Sequence, residues 1–328
     1  MSDFDLNFPR AWGPPPVSAG FRTEPEDFQV DEDLGFTPDG EGEHWLVQVR
    51  KRGDNTAWVA GQLGRLAGIS IRDVGYCGMK DRRAVTSQWF SLYRPKGPEP
   101  DWSALDSESL TLLKVTRHNR KLRRGQHRAN HFAIRLRSVT PLEADGLATL
   151  ETRLQTLSTY GLPNYFGEQR FGREAGNLTR AQAWLVDNQR IRDRQQRAMA
   201  MSAARSWLFN QVLAERVVRG DWQEPLPGEP LEEASGPLWG RGRPLVSGEA
   251  LEREATVLAP WQQWCAGLEH VGLNQERRAL RLRPEGLAWE WEGQDLWLRF
   301  SLPPGTFATA VLRELSGLST SDAETIAQ

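Results

Sequence analysis

The segment YCGMKDRRAVTSQWF, residues 76–90, places one carboxylate among cations: Lys80 precedes Asp81, and Arg82 and Arg83 follow it. Adjacent cations keep such a group ionised. An ionised carboxylate in an electropositive, partly dry pocket can act as a nucleophile or a base. An acid in a basic surface loop is the commoner fate of this pattern. Here Gly78 on one side and an alternating apolar run on the other restrict the shape of the segment.

A second candidate is RHNRKLRRGQHRANHF, residues 117–132, with six cations (Arg117, Arg120, Lys121, Arg123, Arg124 and Arg128) and no acid. A loop of this kind can neutralise several phosphates and release their counterions, although many charge runs are only solvated loops. It ends in Asn130 and Phe132, two apart on a predicted strand and therefore on one face. An aromatic face and an amide beside a cationic loop can stack and hydrogen-bond unpaired bases. Core packing is the plainer use of Phe132.

Other chemistries lack their residues. The five His show no H-E-x-x-H spacing, and there is no P-loop, no G-x-S-x-G elbow and no pair of D-[ST]-G segments. EDFQVDED, residues 26–33, is the one acidic cluster that a metal-dependent RNA hydrolase could use, but its alternation reads as an edge strand. Cys77 and Cys265 are the only cysteines, too few for a disulfide framework or a zinc site. They fit a reducing, cytoplasmic location, as does an acidic, Pro-rich start unlike a signal peptide. No apolar run is long enough to span a membrane. The net charge of −2 means that any nucleic-acid partner must be held by local patches.

Elements must position these groups. With 328 residues, 39% of them hydrophobic, the chain can build two domains. After an irregular lead-in of 20 residues, alternation predicts strands over 44–50, 85–93 and 130–137, and 110–117 is apolar enough for a buried strand. A helix follows the first of these, capped by Asp54 or Asn55 and stopped by Gly68. TPLE, residues 140–143, reads as a capping box opening a helix to about Leu157. Residues 178–220 read as Arg-rich helix and 221–250 as loop. A β-hairpin is predicted over 279–300 with its turn at 292–295. A loop and a short helix follow to 315, and the tail after 316 is expected to fray.

Six segments then carry a resemblance. EPEDFQVDEDLGF (24–36), GEGEHWLVQV (40–49), GMKDRRAVTSQ (78–88), NYFGEQRFG (164–172), SAARSWLFNQVLAER (202–216) and LPPGTFATAVLREL (302–315) occur in order along nearly the whole chain. Together they resemble the TruD-type pseudouridine synthases, enzymes that act on uridine 13 of tRNA. The resemblance implies an α+β fold with a mixed, mostly antiparallel sheet. It implies a catalytic domain of residues 1–155 and 303–328, an inserted α+β family-specific domain over 156–302, and a cleft between them.

Carried over residue by residue, it implies Asp81 as the catalytic aspartate. Phe28 of E-D-F-x-V, Asn130 and Phe132 of N-x-F, and Phe307 of G-x-[FY]-A-T would bind substrate. Arg22 falls where relatives often have Lys, and either Arg22 or Lys80 would hold Asp81 charged and oriented. The six cations of 117–128 would grip the tRNA backbone. The reaction needs no redox group, metal or ATP, so no cofactor is expected. tRNA is the expected partner, no membrane or protein partner is implied, and a monomer is expected. A tRNA-binding protein or chaperone without catalysis would use the same loop and aromatics, but it would have no use for an acid among phosphate-facing cations.

Overall fold

The computed structural model describes residues 4–230 and 232–320. The chain divides into two compact units, and each is described by itself. The sheet unit comprises Pro15–Leu154, Pro284–Gly305 and the chain from Leu315; the helical unit comprises the first 14 residues, Gln155–Arg283 and Thr306–Glu314. These limits differ from the expected 155 and 303, chiefly because the predicted hairpin joins the sheet.

In the sheet unit the chain forms strands β1 (Val17–Phe21), β2 (Phe28–Asp33) and β3 (His44–Arg52), helix α1 (Thr56–Ala67), then β4 (Val74–Tyr76), β5 (Val85–Tyr93), β6 (Leu110–His118) and β7 (Ala129–Pro141). Helix α2 (Gly146–Tyr160) leads out of it. The helical unit then supplies β8 (Leu162–Pro163), α3 (Gly176–Leu185), α4 (Arg194–Arg219), β9 (Ser235–Leu238), α5 (Gly248–Leu258), α6 (Gln262–Glu269), β10 (Glu276–Ala279) and β11 (Arg281–Leu282). The chain returns through β12 (Glu285–Glu292) and β13 (Asp295–Leu302), then α7 (Ala308–Leu315) and β14 (Ser316–Thr320).

Among the described residues the sheet has ten strands, ordered β12-β13-β7-β2-β5-β3-β6, with β1 between β7 and β14 and with β4 beside β5. The pairs β1–β14 and β2–β5 are parallel and the others antiparallel. This is the mixed, mostly antiparallel sheet expected. The acidic stretch is not an edge strand, because β2 lies between β7 and β5.

Register decides what shares a face. Val30 stands opposite Phe132 and Glu32 opposite Asn130, Phe132 opposite Phe300, Val30 beside Thr86, and Thr86 opposite Lys51. Directly paired residues point to the same side. One face therefore carries Phe28, Val30, Glu32, Lys51, Thr86, Gln88, Asn130, Phe132 and Phe300. Helix α1 packs Val59, Ala60 and Leu63 against Val47, Val49 and Phe90. The Asn55 side chain accepts from the Trp58 amide at 2.8 Å, and Gly68 ends the helix in the left-handed conformation, φ 64°, where glycine carries no Cβ penalty.

Two expectations give way to sheet pairing. Thr140 and Pro141 do not open a helix; they end β7 opposite Ser18 and Val17, and α2 begins only at Gly146. Pairing with β1 outweighs a cap, which contributes about 1 kcal/mol. Residues 316–320 do not fray but pair in parallel with β1; the tail beyond Thr320 lies outside the described residues. Likewise, β1 itself falls within the expected lead-in.

The helical unit buries an aromatic core of Tyr165, Phe171, Trp207, Phe209 and Trp264, which Phe8 joins from the first 14 residues. Phe8 stacks on Tyr165 at 5.2 Å. Asn210 explains part of the SAARSWLFNQ segment: it accepts from the Phe166 amide at 3.0 Å and donates to the Phe166 carbonyl at 2.9 Å. The expected loop over 221–250 also contains β9 and the start of α5.

Candidate active site

The loop between β4 and β5 holds Asp81, and it is tied down at several points. The Lys80 amide donates to Thr56 Oγ1 at 2.9 Å, which donates to Gln88 Oε1 at 3.0 Å. Gln88 Nε2 donates to the Gly78 carbonyl at 2.5 Å. Arg82 Nε donates to the Gly53 carbonyl at 3.1 Å. Lys51, fully buried, donates from Nζ to the Asp81 and Asp54 carbonyls, each at 2.7 Å. Burial pushes the Lys51 ammonium down to about 8, against the pull of the nearby carboxylates of Asp81 and Asp54.

The side chain of Asp81 meets Arg22, whose Nη2 is 2.6 Å from Oδ2; the two side chains are 21% and 26% exposed, so the pair is neither dry nor freely solvated. Arg22 leaves β1 with φ 58°, a left-handed conformation that costs a non-glycine residue about 1–2 kcal/mol. Its Cζ lies 4.2 Å from the Phe28 ring centre and 4.9 Å from that of Phe21. Phe28 is buried and its ring centre is 5.9 Å from Phe132. Phe132 is half-buried and stacks on Phe300 at 5.4 Å. The sheet unit thus brings Asp81 and Arg22 together beside Phe28, the first of these three aromatic rings. Asp27 of E-D-F anchors the fold instead: it is buried and takes both guanidinium contacts of Arg137 at 2.8–2.9 Å.

Lys80 does not pair with Asp81. Its ammonium turns inward to Glu32, 2.7 Å away, with side-chain exposures of 6% and 0%, and it donates to Asn130 Oδ1 at 2.5 Å. Glu32 Oε1 accepts the Trp89 amide at 3.1 Å. Asn130 Nδ2 lies 3.1 Å from His127 Nε2. Burial, with the charge of Lys80, pushes the His127 imidazole down to about 4 from its ordinary 6.5. Between those values the unfolded chain binds a proton that the folded chain refuses, so stability falls as the pH drops through that window. Thermal unfolding at pH 7 and pH 4.5 should show wild type losing about 2–3 kcal/mol more than a His127→Phe variant. Equal losses would mean that His127 is not buried as a neutral ring.

The basic stretch is a pinned loop with an exposed rim. Leu122 and His127 are buried in it, the Gly125 amide donates to the Cys77 carbonyl at 2.7 Å, and Lys121 Nζ donates to the Arg72 carbonyl. Gly75 permits this approach, since a Cβ there would meet the Leu122 carbonyl at 2.5 Å. Arg120, Arg123 and Arg124 are exposed. Arg128 is bound to Asp33. Arg117 stacks on Trp45 at 3.6 Å and donates to the Gly42 and Arg94 carbonyls at 3.4 and 3.2 Å, so it supports the loop from below. Phe307 belongs to the helical unit, where its ring lies 6.1 Å from Phe166 with Arg170 Cζ 5.6 Å above it.

Sequence reasoning missed Lys51, Glu32, His127 and Phe300. For two of them a signal existed. Lys51 continues the phase of Trp45, Val47 and Val49, and Glu32 that of Phe28 and Val30. A charge in the apolar phase of a strand must be paired or hydrogen-bonded. Four of the five acids of the 26–33 stretch are engaged by cations: Glu26 by Arg52, Asp27 by Arg137, Glu32 by Lys80 and Asp33 by Arg128. Among the described residues no group of three His, Cys, Asp or Glu could hold a metal ion, and no helix is long and apolar enough to cross a membrane.

Comparison with known proteins finds that residues 10–192 and 233–315 match the family model described as tRNA pseudouridine synthase D (TruD). The tRNA pseudouridine synthase D of Cellvibrio japonicus (strain Ueda107) is 53% identical over 323 residues, which is 97% of this chain and 95% of that one. Its namesake from Aeromonas salmonicida (strain A449) is 46% identical, covering 92% of each. A crystal structure from Methanosarcina mazei, provisionally described as tRNA pseudouridine synthase D, superposes with a TM-score of 0.68 at 18% identity, over 93% of this chain and 95% of that one, a likeness of fold.

Proposed function

The chain belongs to the tRNA pseudouridine synthase D (TruD) family, enzymes that isomerise uridine to pseudouridine in tRNA, and from that premise we propose that its target is uridine 13 and that Asp81 is its catalytic carboxylate. The observation that carries the assignment is the Arg22–Asp81 pair, 2.6 Å apart and partly open to solvent, with Arg22 seated on Phe28.

The reaction breaks the N1–C1′ bond, turns the detached uracil, and joins C5 to C1′; the proton lost from C5 is balanced by one gained at N1. No group enters or leaves. The target nucleotide is flipped out of its stack, which costs a few kcal/mol. Asp81 then meets the sugar. Both routes open to it, attack on the sugar and removal of a sugar proton, require an ionised carboxylate, and Arg22 is the cation paired with it. Lys51 holds the backbone of the same residue. Phe28, Phe132 and Phe300 offer apolar walls to the loose base, a contact worth about 1–3 kcal/mol for each stacked base. Asn130 hydrogen-bonds the base, and Phe307 offers a further aromatic face to the RNA. Arg120, Arg123 and Arg124 carry the phosphate contacts, with Lys121 and Arg128 alongside and Arg117 bracing the loop. The protein acts as a monomer in the cytoplasm, where Cys77 and Cys265, both buried and free, stay reduced.

The test is to incubate pure protein with an unmodified tRNA transcript, EDTA and no added cofactor, then map pseudouridine. Product at position 13 is expected. Product elsewhere would refute the site assignment, and a blank with intact tRNA binding would refute catalysis.

A further inference from the structure

Lys80, Glu32 and His127 form a buried network around one amide, that of Asn130. An ammonium has donors only, so the atom of Asn130 that faces Lys80 at 2.5 Å must be its oxygen. The opposite atom, facing His127 Nε2 at 3.1 Å, is then the NH2 group. That makes Nε2 the acceptor and places the imidazole proton on Nδ1. A neutral ring agrees with the low pKa of His127. Glu32, with no exposed side-chain surface, fixes the charge of Lys80 from the other side.

Turning this amide over would set NH2 against an ammonium, a repulsive contact in a buried setting, where an unmade hydrogen bond is expensive. The imidazole could follow by moving its proton to Nε2, so Lys80 is the group that fixes the sense. The amide therefore has one orientation. After these two bonds it keeps one free lone pair on Oδ1 and one free N–H on Nδ2. That is the complement of uracil, which offers N3–H as donor beside a carbonyl acceptor. Cytosine offers an acceptor at N3 beside an amino donor at C4, and only the reversed amide could match it.

We propose that Lys80, held by Glu32, is a positioning residue that locks Asn130 in the sense that reads uracil and rejects cytosine. The network is the specificity device of the site, not part of its bond-breaking machinery. This rests on the reading that Asn130 meets the target base. Sites built to hydrogen-bond one base discriminate strongly because the wrong partner leaves buried polar groups unpaired.

The test uses the full-length protein carrying Asp81→Asn, so that bound RNA is not turned over. Its affinity is measured for two tRNA transcripts that differ only in U or C at the modified position. The same two RNAs are used throughout, so their own difference in flipping cost cancels between variants. The background protein should prefer the U form. Adding Lys80→Met with Glu32→Gln, which removes both charges of the buried pair together, should cut the U/C preference about tenfold while changing affinity for the U form much less. A merely structural role would lower both affinities and leave their ratio alone, and that result overturns the proposal. If this double change prevents folding, the milder Lys80→Gln with Glu32→Gln replaces it and should erode the same ratio. Asn130→Ala separates the two layers. If it leaves U affinity unchanged, the reading beneath is wrong; if it weakens U binding while the network variants keep the ratio, the lock alone is wrong.

Discussion

Asp81→Asn is expected to reduce pseudouridine formation by roughly 10⁴-fold or more, the scale seen when a residue central to the chemistry is removed. An amide of the same shape can neither attack a sugar carbon nor take its proton at neutral pH. The fold of the loop should persist, because Lys51 holds the carbonyl of residue 81 and not its carboxylate. Thr56, Gln88 and Arg82 anchor neighbouring positions. Affinity for tRNA should then stay within a few-fold of wild type, since phosphate contacts supply most RNA affinity. Single-turnover assays and filter binding measure the two quantities separately. Substantial product from this variant, within 100-fold of the wild-type rate, would remove Asp81 from the centre of the mechanism.

Arg22→Ala is expected to lower the single-turnover rate by about 10- to 150-fold, the equivalent of one charge-assisted hydrogen bond of about 1.5–3 kcal/mol. Arg22 touches the carboxylate at 2.6 Å and lies over the Phe28 ring, so it both pairs with and aims Asp81. Arg22→Lys restores the charge without the planar fork or the ring contact and should recover part of the rate. The split between rate and affinity is the discriminating readout. A loss confined to tRNA affinity, with the rate on bound RNA unchanged, would make Arg22 a phosphate contact instead.

Local signals were legible where they were strong. The strands His44–Arg52 and Val85–Tyr93 and the helix Thr56–Ala67 follow directly from alternation, a cap and a stop. The hairpin Glu285–Leu302 was also legible, with its turn in place. Its home was not. It pairs with β7, far back in the chain, and nothing local in LAWEWEGQDLWLRF names that partner. The capping box at Thr140 failed for the same reason: an upstream strand, β1, pairs with those residues.

What the amino-acid order determined alone is the cast of the site. It marked Asp81 as a lone acid set among cations, and it set Asn130 and Phe132 in one strand phase. It also put Lys51 and Glu32 in apolar phases, where a charge must find a partner. Tertiary structure decided the pairings. Lys80 adjoins Asp81 in sequence yet serves Glu32 and Asn130, while Arg22, just past the end of a distant strand, takes the carboxylate. The reason is geometric and energetic together. Successive residues of an extended segment point to opposite sides, and a buried Glu32 costs far more unpaired than a half-solvated Asp81 does. Sheet register, which no local stretch encodes, set the distances over which that competition was settled.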